Sequence, residues 1–197
     1  MKHKGQTNPP GRQKIINALT ELMGTKDFQS VTTAEIAARA GVTEGLIYKY
    51  FKDKKDLLYQ VLNDIFIQFN QSVVERMAGK VSAIEKLEII IRASIEYYTA
   101  NRVFARMLLL EVRNTQDYFA SEAYAMVKNY ARNILDVIND GIGRGEIRRG
   151  TDPYILRKVI LGAMEHACLG EIIFAGQLDA KAITQAISNI IFNGARA

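Results

Sequence analysis

The sequence of 197 residues holds one cysteine, three prolines, two histidines and no tryptophan. A single thiol, Cys168, closes no internal disulfide, which excludes a disulfide-stapled scaffold and a multi-cysteine metal site and fits a reducing compartment. His3 and His166 lie too far apart in sequence to suggest a metal pair. The prolines are Pro9, Pro10 and Pro153, so few breakers interrupt the chain and long helices are possible throughout. No stretch reaches the roughly 18 apolar residues a membrane span needs. The polar start Met-Lys-His-Lys-Gly-Gln has no apolar stretch and is not expected to be a signal peptide, so the expected location is the cytoplasm. There is no GxSxG, Walker loop, HExxH or CxxC, so an enzymatic reading has no motif to rest on, and no metal or cofactor is expected.

What is present is ordinary globular material, 48% apolar and 24% charged. The charge is uneven. Residues 1–60 carry ten Lys and Arg against six Asp and Glu, and this third holds nearly all of the net charge of +5. A basic end on a near-neutral body points toward a polyanionic partner, although surface charge of this size is common without one.

Residues 1–11 read as a flexible basic arm. From Arg12 the apolar residues Ile15, Ile16, Leu19, Leu22 and Met23 share one helical face. Thr32 or Thr33 offers an N-cap for a short helix that ends at Gly41, and Thr43 caps the next. Asp53 or Lys54 opens a longer helix carrying Leu57, Leu58, Val61, Leu62, Ile65, Phe66 and Phe69. Ser82-Ala-Ile-Glu85 is a capping box for another. A short apolar helix is expected over 104–112 and a long one over roughly 117–140. Gly141, Gly143, Gly145 and Gly150 then punctuate a turn, and Asp152-Pro153 starts a helix that runs to about 175, followed by a last one to about 193. No β-type alternation occurs, so the expected fold is all-α with about nine helices: a helix-turn-helix domain over 12–55 and a helical effector-binding and dimerisation domain over 56–197.

The stretch TAEIAARAGVTEGLIYKYF, residues 33–51, carries the functional signal. Two helices that cross steeply leave no room for a large side chain at its fifth position, and Ala37 fits. The tight turn needs a left-handed residue at its ninth, and Gly41 adopts that without Cβ strain. Ile36, Ala40, Val42, Ile47 and Tyr50 are spaced to close a small core. This is the pattern of a helix-turn-helix, whose second helix enters the DNA major groove. An ordinary helical hairpin would not require all of these matches.

The segment resembles the tetracycline-repressor (TetR) family of bacterial transcriptional regulators. Arg12–Ile16 looks like that family's opening helix, Thr32–Ala37 with Ala40–Thr43 like its helix-turn-helix, and Gly45–Phe51 followed by Lys52–Leu58 like its recognition helix and junction. The likeness is specific over about residues 10–62 and looser beyond, where Gly141 to Arg148 before Asp152-Pro153, then Gly162, resemble the turn before the family's dimerisation helices.

The leading end of the recognition helix makes Thr43, Glu44, Gly45 and Lys49 candidate DNA contacts. Gly45 lets the backbone approach closely, and Lys49 can read a guanine edge or reach a phosphate. Tyr48 and Thr33 suit phosphate contacts, as the resemblance implies. Lys54 is expected to offer amide and ammonium to a phosphate. Lys2, Lys4 and Arg12 add non-specific attraction, whereas Lys52 and Lys55 read as solvated surface. Glu44 departs from the family pattern, in which a basic or small residue is common. It can accept from cytosine N4, repel a phosphate, or simply complement the helix dipole.

The resemblance also implies an effector pocket among helices four to eight and a homodimer. Phe66, Phe69, Tyr97, Phe104, Met107, Glu111, Tyr130, Met164 and His166 are the candidate pocket residues, with Arg113, Asn133 and Glu165 as further polar liners. Most of the aromatic residues could equally fill a core, and His166 an interface. Gly162, Ala163, Ala167 and Gly170 at helical spacing, with the aliphatic stripe Ile183, Ile187, Ile190 and Ile191, are expected to pair with their copies as a four-helix bundle.

The expected function is a ligand-responsive regulator, by the resemblance a repressor, released from a pseudo-palindromic operator by a small hydrophobic effector. A lipid or acyl-CoA is favoured over a hydrophobic drug. Ligand binding would move the helix over 54–78 as a lever. A nucleoid-type DNA binder without an effector stays open, and a fully packed C-terminal core would favour it.

Overall fold

The computed structural model describes residues 9–174, 176 and 178–194. The arm lysines Lys2 and Lys4 and most of the expected flexible arm lie outside the described residues. Among them the chain forms ten α-helices, a single 3-10 turn, a single π-helical turn and no strand. It divides into two compact units, one up to Leu62 and one from Asn63.

In the first unit, α1 spans Pro10–Leu22, starting two residues earlier than the sequence suggested because Pro10 occupies the first helical turn. Ile15, Ile16, Leu19 and Met23 are buried, and the 3-10 turn Phe28–Ser30 folds Phe28 onto the same core. Helix α2 spans Thr33–Ala40. Its N-cap is Thr32, whose hydroxyl accepts from the Glu35 amide while the Glu35 carboxylate accepts from the Thr32 amide. Gly41 ends it at φ +64 in the left-handed region. Helix α3 spans Glu44–Tyr50, and α4 spans Lys54–Met77, beginning where Asp53 accepts from the Asp56 amide. Ile36, Ala37, Ile47, Phe51, Leu57 and Leu58 close the core, each large aliphatic burial worth roughly 1.5–3 kcal/mol.

In the second unit, α5 (Ala83–Ala100) is the central helix, burying Leu87, Ile90, Ile91, Ser94, Ile95 and Tyr98, and it packs against α8 (Glu122–Gly143), α9 (Pro153–Phe174) and α10 (Ala180–Asn193). The capping box expected at Ser82 forms only in half. The Ser82 hydroxyl accepts from the Glu85 amide, but the Glu85 carboxylate turns to Lys80. The Ser82 hydroxyl and the Ala83 amide instead donate to Glu146, and these bonds hold its carboxyl below the usual range.

Three expected boundaries differ. The apolar helix over 104–112 is α6 (Arg102–Arg106) followed by the π-helical turn Met107–Glu111. The helix over 117–140 is broken into α7 (Gln116–Phe119) and α8, because Ser121 caps α8 by accepting from the Tyr124 amide. The glycine-rich turn begins later, since α8 runs on through Gly141 and Gly143 and only Gly145 takes a left-handed φ, +77. Gly141 is there for space: a Cβ would lie 2.8 Å from Ala83 Cβ and from Ile147 Cδ1.

Candidate functional site

The α2–α3 pair presents a polar end. Thr43, Glu44, Gly45 and Lys49 are exposed, and Tyr48 is 55% exposed, while Ile47 on the same helix is fully buried. A helix of seven residues with a glycine in its first turn is locally weak, by about 1 kcal/mol relative to alanine. Internal packing does not require that glycine, since a Cβ on Gly45 would meet nothing closer than Thr43 Oγ1 at 3.9 Å. Thr43 occupies the N-cap position, but its side chain caps nothing. Thr33 is joined to this end: its hydroxyl donates to Glu44 Oε2 at 2.8 Å and accepts from the Tyr48 hydroxyl at 3.5 Å. Thr33, Thr43, Glu44, Gly45, Tyr48 and Lys49 are thus all carried on the exposed side of this helix pair.

Lys54 departs from expectation. Its ammonium donates to the carbonyls of Phe28 at 2.8 Å, Gln29 at 3.3 Å and Val31 at 2.6 Å, and lies 4.5 Å from the centre of the Phe28 ring. It closes the open carbonyls of the 3-10 turn, so the cation expected to meet a phosphate is engaged inside the fold. Arg12 also turns inward, donating to Gln60 at 2.9 Å and lying 5.5 Å over the Phe51 ring.

The candidate effector residues gather in the second unit, with exceptions. Phe66, Phe69, Tyr97, Phe104 and Tyr130 form one ring cluster, with centroids 4.8–6.1 Å apart between neighbours. Within it the Tyr130 hydroxyl meets Ser94 Oγ at 2.5 Å, and Ser94 in turn donates to the Ile90 carbonyl. Burial pushes the Tyr130 phenol upward, so it stays protonated. Phe69 and Tyr97 also line an open cleft of about 210 Å³, together with Ser72, Arg76, Ala93, Glu96, Ala100 and Asn101. Arg76 pairs with Glu96 there at 2.7 Å. Met107 and Met164 are buried, and Glu111 is half-buried at the end of the π-helical turn.

His166 does not belong with these. It is exposed, at helical spacing from exposed Gly162 and Gly170, on the side of α9 opposite buried Ile160, Met164 and Cys168. Arg113 and Glu165 form a two-pronged ion pair at 2.7 and 2.8 Å, and Asn133 is exposed. Burial pushes the Cys168 thiol up to about 11, which leaves it a protonated packing group at neutral pH.

The outer side of α9 is apolar. Ile155, Val159 and Ile173 are each about half exposed and align with Gly162, His166 and Gly170, while Ala163 and Ala167 flank them half-buried. On α10, Ile190 is 61% exposed, Ile183 and Ile187 are half-buried beside it, and Ile191 leans toward the buried Thr184 and Ser188. Sequence reading missed Ile155 and Val159, although their spacing of seven and three residues before Gly162 carried the signal. It also missed Ser94, Arg76 and Glu96. Ser94 was visible only as a polar residue four after Ile90 on an apolar face.

Among the described residues no helix is long and apolar enough to cross a membrane, and no group of three His, Cys, Asp or Glu could hold a metal. A family model described as bacterial regulatory proteins, tetR family, matches residues 15–61, and one described as tetracyclin repressor-like, C-terminal domain, matches residues 80–170. The fatty acid metabolism regulator protein of Bacillus subtilis (strain 168) is 27% identical over 186 residues, which cover 94% of this chain and 95% of that protein. The HTH-type transcriptional regulator HbdR of Aromatoleum sp. (strain CIB) is 34% identical over 76 residues, 39% of this chain and 33% of its own. Among solved structures, the transcriptional regulator FadR from Bacillus subtilis in complex with stearoyl-CoA superposes with a TM-score of 0.86 at 25% identity, covering 93% of this chain and 99% of that one. AibR in complex with isovaleryl coenzyme A and operator DNA shares the fold, with a TM-score of 0.75 at 20% identity over 92% of this chain and 98% of that one.

Proposed function

The chain belongs to the TetR family of bacterial regulatory proteins, and from that premise we propose that it is a dimeric, cytoplasmic repressor released from operator DNA by a long-chain acyl-CoA. The observation that carries the DNA-binding half is the bare polar end of α3, set on a core of Ile36, Ala37 and Ile47, with a first-turn glycine its own packing does not require. Thr33, Thr43, Glu44, Gly45, Tyr48 and Lys49 meet the major groove and its flanking phosphates, and the Lys54 side chain supports them from within. The unit up to Leu62 is the DNA-binding domain, and the unit from Asn63 binds effector and partner. Two copies join through Ile155, Val159, Gly162, Ala163, His166, Ala167 and Gly170 of α9 and Ile183, Ile187, Ile190 and Ile191 of α10, so two recognition helices face half-sites about 34–36 Å apart.

The effector class rests on the relatives. The Bacillus subtilis protein that covers nearly the whole chain is a fatty acid metabolism regulator, and the FadR structure from that organism is a complex with stearoyl-CoA. Here the cleft is smaller than the roughly 300–1,000 Å³ of sites that hold a whole drug-sized ligand. The acyl chain therefore enters by parting the rings of Phe66, Phe69, Tyr97, Phe104 and Tyr130. It acts only through its differential affinity for the parted and the packed state. The protein binds and carries out no catalysis. The packed ring cluster favours a second reading, a DNA binder without effector, and titration with stearoyl-CoA separates the two. DNA binding itself is tested by the slope of log affinity against log salt, since several phosphate contacts give a steep fall. A flat response removes the reading.

A further inference from the structure

We propose that Glu44 is a specificity-determining residue that accepts from the exocyclic amino group of a cytosine, and that this contact releases hydroxyl protons for the DNA backbone. The inference rests on the DNA-binding reading above. Thr33 and Glu44 are the first residues of α2 and α3. A hydroxyl has one proton to give. Thr33 gives its proton to Glu44 Oε2 at 2.8 Å, and Tyr48 directs its own to Thr33 Oγ1 at 3.5 Å. Both hydroxyls suited to a phosphate oxygen are therefore turned inward, that of Thr33 to the Glu44 carboxylate and that of Tyr48 to Thr33. Among the described residues no Lys or Arg forms an ion pair with Glu44, which is exposed.

On a duplex that offers the carboxylate no donor, Glu44 keeps the Thr33 proton and adds its own charge beside the phosphates. On a duplex that presents cytosine N4, the amino group donates to the carboxylate, as its geometry in the major groove allows. To reach the base edge the carboxylate swings into the groove and away from Thr33, and the Thr33 hydroxyl then rotates toward a phosphate, with Tyr48 following. Open space at Gly45, where a Cβ would meet nothing nearer than 3.9 Å, leaves room for the base edge beside Glu44. One carboxylate thus opposes non-specific DNA and ties a base contact to a backbone contact, two kinds of contact that are otherwise independent.

The test is selection from a random duplex library by full-length wild type, E44A and E44Q, with circular dichroism to verify folding. Wild type enriches a cytosine at one position of each half-site. E44Q moves that position to adenine, because an amide pairs with adenine N6 and N7. E44A loses discrimination there, roughly 5- to 150-fold, keeps the other positions, and binds an unrelated duplex more tightly than wild type. Unchanged preferences and unchanged affinity for the unrelated duplex in both variants overturn the proposal. So does loss of all DNA binding by a folded E44A, since a charge that opposes phosphates cannot be required for backbone affinity. Failure of wild type to enrich any duplex removes the DNA-binding reading, and this proposal with it.

Discussion

Lys54→Met separates two roles for one ammonium. In a phosphate role it would neutralise DNA charge. In the fold it donates to three carbonyls, two of them at 2.6 and 2.8 Å, and faces the Phe28 ring. Methionine keeps most of the apolar stem and removes the donors. A hydrogen bond to a charged group contributes about 1.5–3 kcal/mol, and a cation over an aromatic face about 0.5–1 kcal/mol at a partly exposed site. These contributions overlap and water replaces part of them, so the expected local loss is about 2–3 kcal/mol. At about 1.4 kcal/mol per decade this makes amide exchange in α2 and the first turns of α4 roughly 30- to 150-fold faster. Hydrogen-exchange mass spectrometry reads it segment by segment, and amides of α8 and α9 stay unchanged. The slope of log DNA affinity against log salt is unchanged in Lys54→Met. In Lys49→Met the same slope becomes shallower by about 0.9 if the Lys49 ammonium neutralises one phosphate. A Lys54→Met variant whose exchange is normal but whose salt slope drops would refute the structural role.

Other perturbations have defined outcomes. Ala37→Leu forces three extra carbons into the buried crossing of α2 and α3 and lowers stability by about 1–3 kcal/mol, measured by thermal denaturation. Gly141→Ala has a similar cost at a different place, because its Cβ would lie 2.8 Å from two side-chain carbons, and exchange accelerates at the start of α5. The hydrogen bond from Lys26, followed by those from Thr32, holds the Glu35 carboxyl at about 2, below its ordinary 4.5. A depressed value stabilises the fold above the unfolded pKa and stops doing so as pH falls through the folded one. The gap in melting temperature between wild type and Glu35→Gln is therefore full at pH 7 and closes between pH 4.5 and 2. Val159→Asp with Ile190→Asp places charge on the outer faces of α9 and α10. It gives monomers in sedimentation and loss of operator binding, with helical content retained.

The helix-turn-helix was legible because its constraints are local. Ala37, Gly41 and the Thr32–Glu35 cap each answer to a steric or hydrogen-bonding need within a few residues. What failed to show was long-range. Nothing near Lys54 in sequence reveals that the carbonyls of residues 28, 29 and 31 lie around its ammonium. Glu85 looked like the second half of a capping box, yet Glu146, 61 positions later, takes the free amide at the start of α5. His166 reads as a polar pocket liner or as a core or interface residue, and counting helical turns from Gly162 places it on the outer side of α9. The α7–α8 break was written in Ser121-Glu122, a cap signature overlooked inside a long apolar pattern.

Fluorescence anisotropy of the selected duplex, titrated with stearoyl-CoA in the presence of full-length protein, tests the account most directly. A fall in anisotropy that saturates at one ligand per subunit, together with a salt slope steep enough for several phosphate contacts, is the predicted result. Anisotropy that stays constant as the acyl-CoA rises contradicts the claim that this chain couples DNA to a lipid effector.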